Sequence, residues 1–89
     1  MNIGDVLIHI NECLNAQQRS TLEEAVRDID GVIAPRFNPG KEHLLLVAFN
    51  PDRTNFSVLL NKVKSFGYQA QLIGAKSKWH HLHSKKLVR

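Results

Sequence analysis

Leu22-Glu23-Glu24-Ala25-Val26-Arg27-Asp28-Ile29-Asp30-Gly31-Val32 is the stretch that decides the fold. Leu22, Ala25, Val26 and Ile29 recur at helical spacing, with Glu23, Glu24, Arg27 and Asp28 on the opposite side, so it reads as an amphipathic helix. Gly31 stops it, because glycine tolerates the left-handed conformation that ends helices. Val32 then opens a strand that runs to Phe37. Toward the N-terminus, Val6, Ile8 and Ile10 alternate with Leu7, His9 and Asn11, the pattern of a strand with one strongly apolar face. A loop over Glu12–Leu14 joins that strand to the helix. Toward the C-terminus, Asn38-Pro39-Gly40-Lys41 is a turn by composition. His43–Phe49 follows as a third strand, apolar in both directions through Leu44-Leu45-Leu46-Val47-Ala48-Phe49, and Asn50-Pro51-Asp52 breaks it. Thr54 is expected to cap a second helix with Phe56, Leu59, Leu60 and Val63 as its buried stripe, ending near Gly67. Tyr68–Ile73 reads as the last strand. Strand, helix, strand, strand, helix, strand with right-handed crossovers gives an α+β, ferredoxin-like βαββαβ sandwich. Its four-stranded antiparallel sheet carries both helices on one face.

The chain of 89 residues makes one small domain with a modest core. Five of its twelve Lys and Arg (Lys76, Lys78, Lys85, Lys86 and Arg89) and none of its eight Asp and Glu lie in residues 76–89. A near-neutral body over residues 1–75 thus precedes a basic, His-rich tail over 76–89, and an acidic partner would meet the tail. No apolar run approaches the roughly 20 residues of a membrane span, and no signal-peptide pattern opens the chain. Cys13 is the single cysteine, so one chain cannot form a disulfide; this points to the cytoplasm.

Three motifs extend this pattern. The helix ends in Ile29-Asp30-Gly31-Val32, a strand ends in Val47-Ala48-Phe49-Asn50-Pro51, and the closing strand opens with Gly67-Tyr68-Gln69-Ala70. In order and separation, over about three-quarters of the chain, they resemble the heavy-metal-associated family of copper chaperones and metal-ATPase domains. The resemblance implies a metal loop between the first strand and helix, closed by Tyr68. It places the family's two metal-binding cysteines at Asn15 and Gln18 and the family's methionine at Cys13. Two thiolates suit a soft ion such as copper(I), whereas carboxamide oxygens are hard, neutral ligands. Asparagine is instead a favoured helix N-cap, and a glutamine three residues later can reach back to it. Cys13 reads first as a small packing residue; the alternatives are a reactive thiol or one ligand of a site shared between two chains.

The expected function is therefore a non-enzymatic binding or adaptor domain without the dithiol clamp, acting on a protein partner or a second copy. The apolar third strand supplies a surface for it. Leu44, Leu46 and Ala48, or else Leu45, Val47 and Phe49, must face away from the helices, with Leu7 nearby. Trp79, Leu82 and Leu87, on a short helix capped by Ser77, offer a further cover for that face. No catalytic set is expected: Cys13 has no evident histidine–carboxylate constellation, and His9 and His43 lie within strand patterns. No resident cofactor is expected. The alternative is metal handling by other ligands. His80, His81 and His83 carry donors for Zn(II), Ni(II) or Cu(II), with Cys13 contributing. Specific nucleic-acid binding is not expected, because Phe49 is the sole aromatic residue on the two central strands.

Overall fold

The structure, a computed structural model, describes residues 3–77. Its elements run β1 (Gly4–Ile10), α1 (Ala16–Arg27), β2 (Val32–Asn38), β3 (Lys41–Phe49), α2 (Phe56–Lys64) and β4 (Ala70–Ser77). The strands form one sheet in the order β2-β3-β1-β4, with every neighbouring pair antiparallel. This is the ferredoxin-like sandwich expected from the pattern.

One face of the sheet meets the helices. Val6, Ile8 and Ile10 of β1 and Leu45, Val47 and Phe49 of β3 are buried there with Leu22 and Val26 of α1 and Leu59 and Val63 of α2. Alternation along a strand and the three-to-four-residue repeat of a helix direct these side chains inward. Each such side chain contributes about 1.5–3 kcal/mol by leaving water. The two faces of β3, alike in sequence, are thereby distinguished: Leu45, Val47 and Phe49 belong to the core and are not free to form an interface.

Three local expectations are corrected. Asn55, not Thr54, caps α2, its side chain accepting from the Val58 N–H at 3.1 Å. Thr54 is instead buried, with its hydroxyl unpaired among the described residues. Phe56, in the first turn of α2, leaves the buried stripe and is 45% exposed. Finally, β4 runs from Ala70 through Ser77, where it pairs with Gly4, rather than ending at Ile73; the tail helix expected after Ser77 lies outside the described residues. The extra length follows from pairing with β1, whose seven residues are met along the whole strand. A register shift between Leu7 and Ile8 leaves Ile73 as the extra residue of β4.

Gly31 joins α1 to β2 with φ of 99°. Its carbonyl accepts from the Asn50 N–H at 2.7 Å, locking the start of β2 to the end of β3.

Candidate functional site

Antiparallel pairing sets Ile10 of β1 opposite Ala70 of β4 and His9 opposite Leu44 of β3. The β1–α1 loop, the start of β3 and the α2–β4 corner therefore meet at one end of the sheet. The loop is held there by polar ties. Asn11 N–H donates to the Gln69 carbonyl at 2.9 Å, and the Glu12 carboxylate accepts from the Gln69 N–H at 2.9 and 3.1 Å. Arg19 donates to the Leu14 carbonyl. Tyr68, next to Gln69, packs against the core and stacks on Phe66 with ring centroids 6.1 Å apart.

Asn15 and Gln18 form a reciprocal capping box at the start of α1. The Asn15 side-chain oxygen accepts from the Gln18 N–H at 2.8 Å, and the Gln18 side-chain oxygen accepts from the Asn15 N–H at 2.9 Å. Two of the donors that a helix start leaves orphaned are thus satisfied by these two side chains. Both carboxamide oxygens are engaged in holding the helix, and neither offers the soft sulfur a dithiol copper(I) clamp requires. These residues do not fit that clamp.

Cys13 is exposed, contrary to its expected packing role. The loop turns Leu14 into the core at 5% exposure, and the residue before it consequently points outward. Its Sγ lies 3.7 Å from Nε2 of His43. The other ring nitrogen of His43, Nδ1, is 2.7 Å from the Ile10 carbonyl oxygen. A carbonyl can only accept, so Nδ1 carries the proton and the Nε2 lone pair of the neutral ring faces the thiol. His9 stacks on His43, with centroids 5.8 Å apart and planes 13° from parallel. The His9 Nδ1 atom is buried with no hydrogen-bond partner among the described residues. The sequence pattern gave Cys13 no histidine, yet β3 delivers one from thirty residues away. Antiparallel pairing of β1 with β3 was the signal that could have found it, because it puts the first residues of β3 beside the end of β1.

Among the described residues, no group of three or more His, Cys, Asp or Glu side chains is placed to hold a metal ion. His80, His81, His83 and Trp79 lie outside the described residues. The described chain ends at Ser77, paired with Gly4, at the end of the sheet opposite Cys13.

The second surface is the sheet face opposite α1 and α2, which carries no helix among the described residues. Leu7 of β1 pairs directly with Leu46 of β3, and Leu44 and Ala48 flank it on the same face, all half-buried by one another. Arg36 of β2, opposite Leu46, and Asp5, opposite Ala48, border this strip. No helix among the described residues is long and apolar enough to cross a membrane.

No protein-family model matches the chain, and no curated protein matches it. Solved structures do match it. The N-terminal domain of a potential copper-translocating P-type ATPase from Bacillus subtilis, determined in its Cu(I)-loaded state, is 24% identical, with a TM-score of 0.73 over 83% of this chain and 91% of that one. Oxidized MerP from Ralstonia metallidurans CH34 is 15% identical, with a TM-score of 0.71 over 81% and 99%. The apo copper chaperone of Enterococcus hirae is 24% identical, with a TM-score of 0.68 over 76% and 98%. At these identities the likeness establishes a shared fold, the one that the three sequence motifs resemble. The structural neighbours are heavy-metal-associated domains, and this chain differs from a dithiol domain in having one cysteine.

Proposed function

We propose that this chain, built on the heavy-metal-associated fold, is a non-enzymatic cytoplasmic binding domain that docks a protein partner, a second copy included, through its open sheet face. The observation that carries this reading is the strip Leu7, Leu44, Leu46 and Ala48, contributed by the two central strands and covered by neither helix. A contiguous apolar strip on an open face has more to gain from a partner than from water. The capping box supports the same reading, because Asn15 and Gln18 serve the helix rather than a metal. The five cations of residues 76–89 would add attraction to an acidic partner, effective within about a Debye length of 10 Å.

The test is sedimentation of the full chain in EDTA over a wide concentration range, together with capture of partners by wild type and Leu46→Asp. Concentration-dependent association or a saturable partner, lost in a folded Leu46→Asp variant, is the expected result. A chain that stays monomeric and captures nothing that Leu46→Asp fails to capture overturns it. Leu45 cannot serve in this test, since it lies wholly inside the core.

A second reading, metal handling without a dithiol, is favoured by one observation, the approach of Cys13 Sγ to His43 Nε2. Saturable Zn(II) or Cu(I) binding that survives replacement of His80, His81 and His83 would support it.

A further inference from the structure

We infer that Cys13 and His43 form half of a tetrahedral Zn(II) site, completed by the same two residues of a second copy. This inference deepens the metal-handling reading and stands apart from the open-face docking.

The first support is distance. With zinc–sulfur and zinc–nitrogen bonds of about 2.3 and 2.0 Å, ligands at the tetrahedral angle lie about 3.5 Å apart. Linear two-coordination with similar bonds would need about 4.3 Å. The observed separation is 3.7 Å, so the pair already has nearly the spacing of two tetrahedral ligands and is too close for a linear ion.

The second support is the state of the imidazole. His43 donates Nδ1–H to the Ile10 carbonyl at 2.7 Å, which turns the Nε2 lone pair toward the thiol. Metal-bound histidines characteristically donate their other ring N–H to a carbonyl or carboxylate, which fixes the tautomer and ring orientation. His9 stacks on the ring from one side and further restrains it.

The third support is the missing half. Two ligands do not close a zinc coordination shell, and the described residues of the chain bring no third. Cys13 is exposed at one end of the sheet, where a second copy can approach it. A twofold axis through the metal makes each copy supply what the other lacks, giving two sulfurs and two nitrogens, the donor set of a Cys2His2 centre. On binding, each Cys13 gives its thiol proton to solvent and each neutral His43 keeps its Nδ1 proton. One zinc therefore releases one proton per copy.

The experiment uses the full-length, reduced chain carrying His80→Ala, His81→Ala and His83→Ala, so that tail imidazoles cannot compete. Co(II) serves as the spectroscopic probe and Zn(II) as its competitor. The expected result is a sulfur-to-cobalt charge-transfer band with intense tetrahedral visible bands, saturating at half an equivalent per chain and bleached by Zn(II). Sedimentation should show the mass double with Zn(II) and revert with EDTA. Cys13→Ser should abolish the charge-transfer band and the zinc-dependent doubling. His43→Gln should abolish the tetrahedral spectrum. Saturation at one equivalent without a change of mass overturns the shared site while leaving metal handling in place. A complete lack of saturable binding overturns both, and a Co(II) signal indifferent to Cys13→Ser assigns the metal elsewhere and overturns the inference. Open-face association, if present, persists in EDTA and responds to Leu46→Asp, which keeps the two outcomes apart.

Discussion

The two ends of the sheet are built differently. At one end, where α1 hands over to β2 and β3 to α2, side chain and backbone are in close contact. The Gly31 carbonyl accepts from Asn50, the Asn50 carbonyl accepts from the Arg53 and Thr54 N–H groups at 3.0 and 3.1 Å, and Thr54 is buried beneath. At the other end the β1–α1 loop is closed by polar caps and ties, and it leaves Cys13 facing water with His43 beside it. Backbone closure at the first end admits few alternatives. At the second, the folding requirements fall on Leu14, Asn15, Gln18 and Glu12, and the Cys–His pair is left over from them.

Gly31→Ala gives the largest expected effect. A left-handed backbone at a residue bearing a Cβ costs about 1–3 kcal/mol. At Gly31 the added carbon would also lie 2.8 Å from Arg53 Cβ and 3.1 Å from Thr54 Cγ2, so backbone-linked atoms must shift. Gly67, at the loop end, has a similar φ of 89° but open space around its missing Cβ. Urea denaturation should therefore show a clearly greater loss for Gly31→Ala than for Gly67→Ala. Equal losses would mean that the crowding at the first end has no energetic weight, and the contrast between the ends would fail.

Next in size are the helix caps, one at each end. Replacing a capping asparagine by alanine costs about 1 kcal/mol, within a range of about 0.5–2. Asn55→Ala removes a single accepted bond to Val58, whereas Asn15→Ala also strands the Gln18 side chain that bonds back to the Asn15 backbone. Asn15→Ala is expected to lower the urea midpoint at least as much as Asn55→Ala, with Gln18→Ala recovering only part of the effect. A null result for Asn15→Ala would reopen these positions to a role other than holding α1.

The frame was legible because period-two alternation in Val6, Ile8 and Ile10 and helical spacing in Leu22 and Val26 pick out side chains that are fully buried in the core. The capping box was legible because it is local, its two partners lying three residues apart. The faces of β3 were not. Six apolar residues in a row carry no alternation, and only the pairing with β1 and the helices above decides that Leu45, Val47 and Phe49 go inward. Cys13 with His43 was hidden more deeply, because their meeting depends on the register of two strands and on Leu14 taking the inward place. The start of α2 shows the limit of local chemistry: Thr54 and Asn55 are both good caps, and burial of Thr54 decides between them.

Cys13→Ser has the smallest expected effect on the fold. The side chain is exposed, and substitutions at such positions usually change stability by no more than about 0.5 kcal/mol. Its one close partner, His43, keeps its bond to the Ile10 carbonyl whatever atom stands at Sγ. The variant should unfold at the wild-type urea concentration. If it lost as much stability as Asn15→Ala, the thiol would belong to the loop's own architecture, and the loop end would be frame like the other. If stability holds while the zinc-dependent doubling disappears, the sulfur is dispensable for folding and required for metal. Helix capping by Asn15 and Gln18 and metal binding by Cys13 and His43 would then be separable tasks at one end of the sheet.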